Sequence, residues 1–237
     1  MTSWNNLTKL DASAKRRFSM KQPTVYGADY SVYVRIVRLT LEEKGVAYNQ
    51  VPVDIFASGG PAAEYLQRQP FGRIPALEHD GFKLFETAAI TRYIDEAFPG
   101  PKLQPVDPRK RARVNQTIGI LDSYAYRTLV WDIYVERIDA PKEGRVSDES
   151  LIAAALPKAA TCLQALTDLM GSGPWVTGDE LTLADLHAAP IFAYFLQAPE
   201  GRELMARYPS LTAWCAPMEA RPSMKVTRPR NSEGTSA

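Results

Sequence analysis

Cysteine and histidine are scarce in this chain, two of each in 237 residues. Cys162 and Cys215 lie far apart in apolar, helical context. That fits small buried hydrophobes of a reducing compartment better than a disulfide. His79 and His187 show no metal-ligand spacing, so both read as structural and no metal is expected. Neither sign of charge dominates: 28 basic and 27 acidic side chains leave a net charge of +1. No basic stripe is interleaved with aromatics, which argues against a nucleic-acid partner. No apolar run approaches the ~18 residues that cross a bilayer, so the expectation is a soluble, cytoplasmic protein with no membrane partner. Residues 1–22 are polar and basic, lack the apolar core of a secretory signal and read as a flexible tail. Residues 226–237, "VTRPRNSEGTSA", read as a second one.

What is present divides the chain in two. "TVYG" (24–27) reads as a short strand and "SVYVRIVRLTLEEKG" as a helix. Val34, Val37 and Leu41 share one face of that helix, Ile36 flanks it, and Gly45 stands where a C′ glycine would. "VAYNQVPVDI" (46–55) reads as a second strand, running parallel to the first by the usual crossover. A short helical turn, "AAEYLQRQ", leads to "ALEH" and "FKLF", two strands joined by Asp80-Gly81. Asp-Gly tolerates the positive φ of a type I′ hairpin turn. A helix from about Thr87 to Phe98 completes an α/β domain over residues 23–99. The Pro-rich stretch at 100–107 reads as a linker, and Asp107-Pro108 as N-cap and N1 proline of the next helix. From 108 to 225 the pattern is helical, with Val114, Ile118, Leu121, Ala125 and Leu129 in one stripe. Tyr124, Trp131 and Tyr134 sit on or near another, and a helix at 148–170 is interrupted or kinked at Pro157. In "ELTLAD", Thr182 and Asp185 match an acidic capping box with Leu181 and Leu186 as its staple, leaving Asp185 partly buried.

The chemistry gathers around the hairpin. Pro75 stands at the mouth of what reads as an edge strand, which makes sense for a cis Ile74-Pro75 bond. Such a bond turns the N–H and C=O of Ile74 outward, free to pair with an extended peptide. The helix opening at Glu86-Thr87 offers backbone N–H groups to a carboxylate, and Glu86 offers its charge to an ammonium, so the pair could hold an amino-acid head. Alternatively, Thr87 caps its helix and Glu86 favours the dipole. Ser31, at the opening of the first helix, is an N-cap residue whose hydroxyl can also donate.

The segments "YGADYSVYVRIVRLTLEEKG", "QPFGRIPAL", "FETAAITRYI" and "LTLADL" occur in the order and spacing of cytosolic-type glutathione transferases, over about residues 24–225. The chain most resembles the serine-dependent classes, plant phi-like and bacterial. The resemblance implies a thioredoxin-like N-terminal domain with cis Pro75 and an all-α C-terminal domain. It also implies a homodimer and glutathione as co-substrate, with no other cofactor. By position, Ser31 matches the serine aimed at the glutathione sulfur, and Ile74 the residue whose main chain pairs with the cysteinyl part. Glu86 and Thr87 match the acid–hydroxyl pair on the γ-glutamyl end. Arg73 stands where relatives carry Gln or Lys, which implies a contact to the glycyl end or backbone of glutathione, and "DIFASGGPAAEY" has no clear match for their usual basic residue near the second strand. The implied activity is detoxification by conjugation of small hydrophobic electrophiles, with hydroperoxides as a side activity. Tyr124, Tyr126 and Trp131 are candidates for the electrophile wall, or else ordinary packing. Tyr30, Val32 and Tyr33 flank Ser31 where thiol-transferase relatives carry Cys, and the Ser-Ser-Cys signature of maleylacetoacetate isomerases is missing. A binding module of little turnover and a glutathione-dependent lyase or dehalogenase are the alternatives.

Overall fold

A computed structural model describes residues 21–229, so most of both expected tails lies outside the described residues. The N-terminal unit is built on a four-stranded sheet ordered β2-β1-β3-β4. Its strands are β1 (Thr24–Tyr26), β2 (Asn49–Val51), β3 (Ala76–His79) and β4 (Phe82–Phe85). β1 pairs parallel to β2 and antiparallel to β3, and β3 pairs antiparallel to β4. β2 is shorter than the expected 46–55 because Pro52, with no N–H to donate, follows Val51 directly. The hairpin turn has positive φ at both Asp80 (51°) and Gly81 (81°), as a type I′ turn requires. The Ile74-Pro75 bond is cis. β3 is an interior strand, correcting its reading as an edge. Pro75 precedes the first paired residue, Ala76, so no ladder donor is lost.

Helix α1 (Val32–Lys44) is buried on two sides. Val34, Val37 and Leu41 enter the sheet core with Val25, Leu77, Ile90 and Ile94, while Val32, Ile36 and Leu39 enter the helical core. Ile36, expected beside the first face, therefore belongs to the second: the helix sits between the domains. Gly45 takes φ 67° and caps its end through N–H bonds to Leu41 and Glu42 carbonyls. The remaining helices of this unit are the single turn α2 (Ala63–Leu66) and α3 (Thr87–Ala97).

The linker is fastened. Lys44 Nζ lies 3.0 Å from Asp95 Oδ1 and 2.8 Å from Pro101 O, and both charged side chains are essentially inaccessible. Asp95 also accepts from the N–H of Leu103 and the amide of Gln104. A buried pair so fully hydrogen-bonded is costly to break from one side.

The second unit begins with α4 (Pro108–Ile120), capped by Asp107 at the N–H of Lys110. It continues without a break into a π-helix, Leu121–Asp139. Its hydrogen bonds close over five residues, as at Ala140 N–H to Val135 O. The buried stripe follows that winding: Leu121, Ala125, Leu129 and Val130, then Ile133 and Tyr134. Tyr134 is buried, Trp131 is 36% exposed and Tyr124 is 65% exposed, so the three do not share the stripe the α-period suggested. After α5 (Ala140–Lys142) comes α6 (Glu149–Leu169), which passes through Pro157 uninterrupted. Among the described residues α6 is the one helix long and apolar enough by composition to cross a membrane, with a mean hydropathy of 1.2. Here its Ala155, Ala159, Leu163 and Leu166 face the helical core, Ile152 is buried, and Lys158 and Gln164 are exposed.

At the centre lies α7 (Leu183–Phe195), buried from Leu183 through Phe192. Asp185 is fully buried, more than expected. Its Oδ2 accepts from the N–H and hydroxyl of Thr182, and its Oδ1 from Val176 N–H and the Trp214 indole. Three short helices follow, α8 (Pro199–Met205), α9 (Pro209–Glu219) and α10 (Pro222–Val226). α10 folds back on α1: Arg35 donates to Met224 O, and Arg221 and Ser223 both donate to Glu43. Thr227, read as part of a flexible tail, is fully buried there and bonded to Arg35 and the Ser223 carbonyl.

Candidate active site

The β1–α1 turn is braced on every side. A Cβ at Gly27 would collide with Val34 Cγ2 and lie 3.2 Å from Ile74 Cβ, so only glycine lets this turn lie against the segment before Pro75. Gln50 Nε2 donates to Gly27 O and Asp29 Oδ1, and Arg38 to the same Asp29 oxygen. From the helical unit, Tyr194 donates its hydroxyl proton to Tyr30 O at 2.6 Å. Ser31 follows at once. It is the N-cap of α1 with extended backbone, and its Oγ accepts from Val34 N–H at 3.3 Å. Among the described residues nothing accepts the Ser31 hydroxyl proton, so one oxygen caps the helix and keeps a donor in reserve.

Opposite, the loop before Pro75 is anchored up to the residue that matters. Tyr65 donates its hydroxyl to Arg73 O at 2.5 Å, and Arg73 N–H donates to Gln69 Oε1 at 3.1 Å. The next residue, Ile74, has no main-chain hydrogen bond to any described residue. Register places the two segments side by side: Tyr26, at the end of β1, pairs with Ala76, at the start of β3.

Glu86 has φ 71°, ψ 112°, a left-handed conformation that is unfavourable for a side chain with a Cβ. Such strain costs about 1–3 kcal/mol and gathers at sites of function. It makes Glu86 itself the N-cap of α3 without a side-chain capping bond, its exposed carboxylate unpaired among the described residues. The reading of Thr87 as the cap is therefore corrected: Thr87 is the first helical residue, and it is buried. The N–H groups of Thr87 and Ala88 are left for an incoming carboxylate.

The helical unit supplies the third side. Tyr126 sets its ring against Tyr33 of α1, 4.5 Å between centroids and tilted by 56°. Burial raises the Tyr126 pKa, and Trp131, five residues on along the π-helix, opposes that rise. Tyr124 lies two residues before Tyr126, is largely exposed and takes no part in that cluster. Arg73 is exposed, and its charge reaches both Tyr33 and Tyr126. Sequence reasoning missed Tyr33 as a site residue. Its signal was available, since a residue two beyond an N-cap stays in the first turn. The buried His187 bonds Thr91 at 3.2 Å and faces Asp122 at 3.6 Å, linking α7, α3 and the π-helix. His79 bonds the Tyr93 hydroxyl at 2.7 Å.

Two family descriptions match this chain: "Glutathione S-transferase, N-terminal domain" over residues 25–102 and "Glutathione S-transferase, C-terminal domain" over 149–216. A glutathione S-transferase from Hyoscyamus muticus is 31% identical over 84% of this chain and 94% of its own length. Glutathione transferase F7 of Populus trichocarpa superposes with a TM-score of 0.76 at 30% identity, covering 86% of this chain and 97% of that one. Maize glutathione S-transferase I, solved with an atrazine glutathione conjugate, gives 0.76 at 26% identity over 87% and 96%.

Proposed function

The chain belongs to the glutathione S-transferase family, and on that premise we propose that it joins the glutathione thiolate to small apolar electrophiles, with Ser31 holding the sulfur anion. The observation that carries this reading is the free Ser31 hydroxyl at the α1 N-terminus, beside the unpaired main chain of Ile74. A thiol with the ordinary pKa of ~8.5 is only a few per cent thiolate at neutral pH, and the thiolate is the nucleophile. A hydrogen bond from Ser31 and the positive end of α1 both favour the anion. Two pK units of lowering are worth about 2.7 kcal/mol and leave most bound glutathione ionised. The serine-dependent, phi-like assignment rests on this residue and on the plant relatives.

The tripeptide lies along β3. Its cysteinyl main chain pairs with Ile74, and its γ-glutamyl carboxylate meets the free N–H groups of α3 and the Thr87 hydroxyl. Glu86 faces the ammonium, and Arg73 lies on the same side toward the glycyl end. Tyr126 and Trp131 line the electrophile side. The enzyme works as a homodimer. Phe71, 70% exposed and edge-on to Phe85, is the apolar group that a second copy would cover. The compartment is the reducing cytoplasm: both cysteines are free, and burial, with Glu219 adding to it, pushes the Cys215 thiol up to about 12. Kinetics on 1-chloro-2,4-dinitrobenzene test the central assignment. Ser31→Ala should lower turnover at least ten-fold, and unchanged turnover rejects the role.

A further inference from the structure

The peptide between Tyr30 and Ser31 is gripped at its two ends by different units of the molecule. Its N–H donates to Ala28 O at 3.2 Å, within the β1–α1 turn itself. Its carbonyl accepts the Tyr194 hydroxyl proton at 2.6 Å, from 164 residues along the chain. Among the described residues no other group donates to that carbonyl. The donor is itself held from behind. The Tyr194 ring meets Tyr134 of the π-helix edge-on, 4.7 Å between centroids, and the Tyr134 hydroxyl donates to Asp139 Oδ1 at 3.0 Å. The charged and titratable groups that act on Tyr194 are Arg35 on α1 and Asp139 and Tyr126 on the π-helix. Burial first, opposed by Arg35 and helped by Asp139 and Tyr126, pushes its pKa up to about 12, so the proton stays in place through neutral and mildly alkaline pH.

The serine needs that outside grip. Its cap bond from Val34 N–H, at 3.3 Å, is long for N–H···O and fixes the Ser31 oxygen weakly. We propose that Tyr194 is a positioning residue for the reaction: its bond to the Tyr30 carbonyl holds the Ser31 hydroxyl in the orientation that stabilises the bound glutathione thiolate. This rests on the reading of Ser31 given above. Without the Tyr194 proton the peptide is anchored through its N–H alone. It can then turn to offer its carbonyl to water, and the serine turns with it. A donor stabilises an anion most when it is already aimed, because no reorientation then opposes the bond. Ionisation of the thiol is thereby tied to the docking of the helical unit on the α/β unit.

The test reads the thiol directly, from the ultraviolet absorbance of thiolate as the enzyme–glutathione complex is titrated. Tyr194→Phe keeps the ring against Tyr134 and removes only the hydroxyl. It should raise the apparent pKa of bound glutathione by about 0.5, an about three-fold loss of thiolate on the acid side of the titration. Turnover of 1-chloro-2,4-dinitrobenzene at saturating glutathione should fall by the same factor there. The loss should close at alkaline pH, where glutathione is ionised in both enzymes. KM for glutathione should stay within two-fold, since the contacts proposed for Ile74, Glu86 and Thr87 are untouched. The other charges on the crevice, Asp122, Glu86 and Arg73, are the same in every variant and cannot account for a shift between them. If Tyr194 acts through Ser31, adding Tyr194→Phe to Ser31→Ala moves the titration no further. An unmoved titration in Tyr194→Phe, a rate loss equal at every pH, or shifts that add in the double variant overturns the inference. If Ser31→Ala moves the titration while Tyr194→Phe does not, only the role of Tyr194 falls. If Ser31→Ala leaves it unmoved, the reading of Ser31 falls with it.

Discussion

On the α/β side of the crevice the groups proposed to meet the ligand are mostly main chain, fixed by motifs a few residues long. On the helical side they are aromatic side chains, placed by the winding of a 19-residue π-helix. Ile74 and the first turns of α1 and α3 offer N–H and C=O groups that any sequence with the same backbone would offer. Tyr126 and Trp131 lie five residues apart, one hydrogen-bonded turn of that π-helix. The comparison suggests a division of labour. On the proposed reading of the site, the constant co-substrate is read by geometry that side-chain drift cannot easily spoil, and the electrophile by side chains that can change.

The hardest way to break the first wall is from below. Lys44→Met leaves Asp95 buried without its cation, and about 3–5 kcal/mol of stability should be lost in urea unfolding. A loss under about 1 kcal/mol would mean that the hydrogen bonds from Leu103 and Gln104 suffice for the carboxylate. Ser31→Ala comes next, and it separates rate from fold. The ten-fold slowing corresponds to about 1.4 kcal/mol at the transition state, beside a capping loss of about 0.5–2 kcal/mol in unfolding.

Glu86→Gly should dissociate stability from function in the opposite direction. Glycine adopts φ 71° without strain, so the fold should be unharmed or gain up to about 1 kcal/mol, while KM for glutathione rises several-fold. A destabilised variant with unchanged KM would show that the strain serves the fold instead.

The clasp between α1 and α10 responds to acid. Burial raises the Glu43 carboxyl, but hydrogen bonds from Arg221 and Ser223 and the Arg221 charge outweigh it and hold the group below its usual value. Its contribution is therefore complete above the ordinary glutamate range and is lost as pH falls through the lowered value. Melting curves of wild type and Glu43→Gln should differ at pH 7 and converge toward pH 3; a constant gap would contradict this. The smallest effect sharpens the second wall: Tyr124→Ala should leave kcat/KM within two-fold, whereas Tyr126→Leu should change the ranking of electrophiles.

Legibility followed the same divide. The Asp80-Gly81 turn, the Gly45 cap and the Asp107 cap were readable because each is decided within four residues by φ preference or a side-chain oxygen. Ile74-Pro75 was readable from its place beside a hairpin and from the family resemblance. Three features were not readable. The positive φ of Glu86 belongs to a residue type that rarely adopts it. The place of β3 inside the sheet depends on pairing with β1, fifty residues earlier. The burial of Thr227 depends on Arg35 reaching across the chain.

By itself the sequence determined the local chemistry: which residue caps α1, where the hairpin turns, and that two units flank a proline-rich joint. Those outcomes depend on neighbours a few bonds away. Only the tertiary structure decided that α1 serves two cores, that the joint is pinned by Lys44 and Asp95, and that Tyr33 meets Tyr126 rather than solvent. Each of these brings together segments tens of residues apart. No local preference encodes such a meeting, because close packing of the whole molecule selects it.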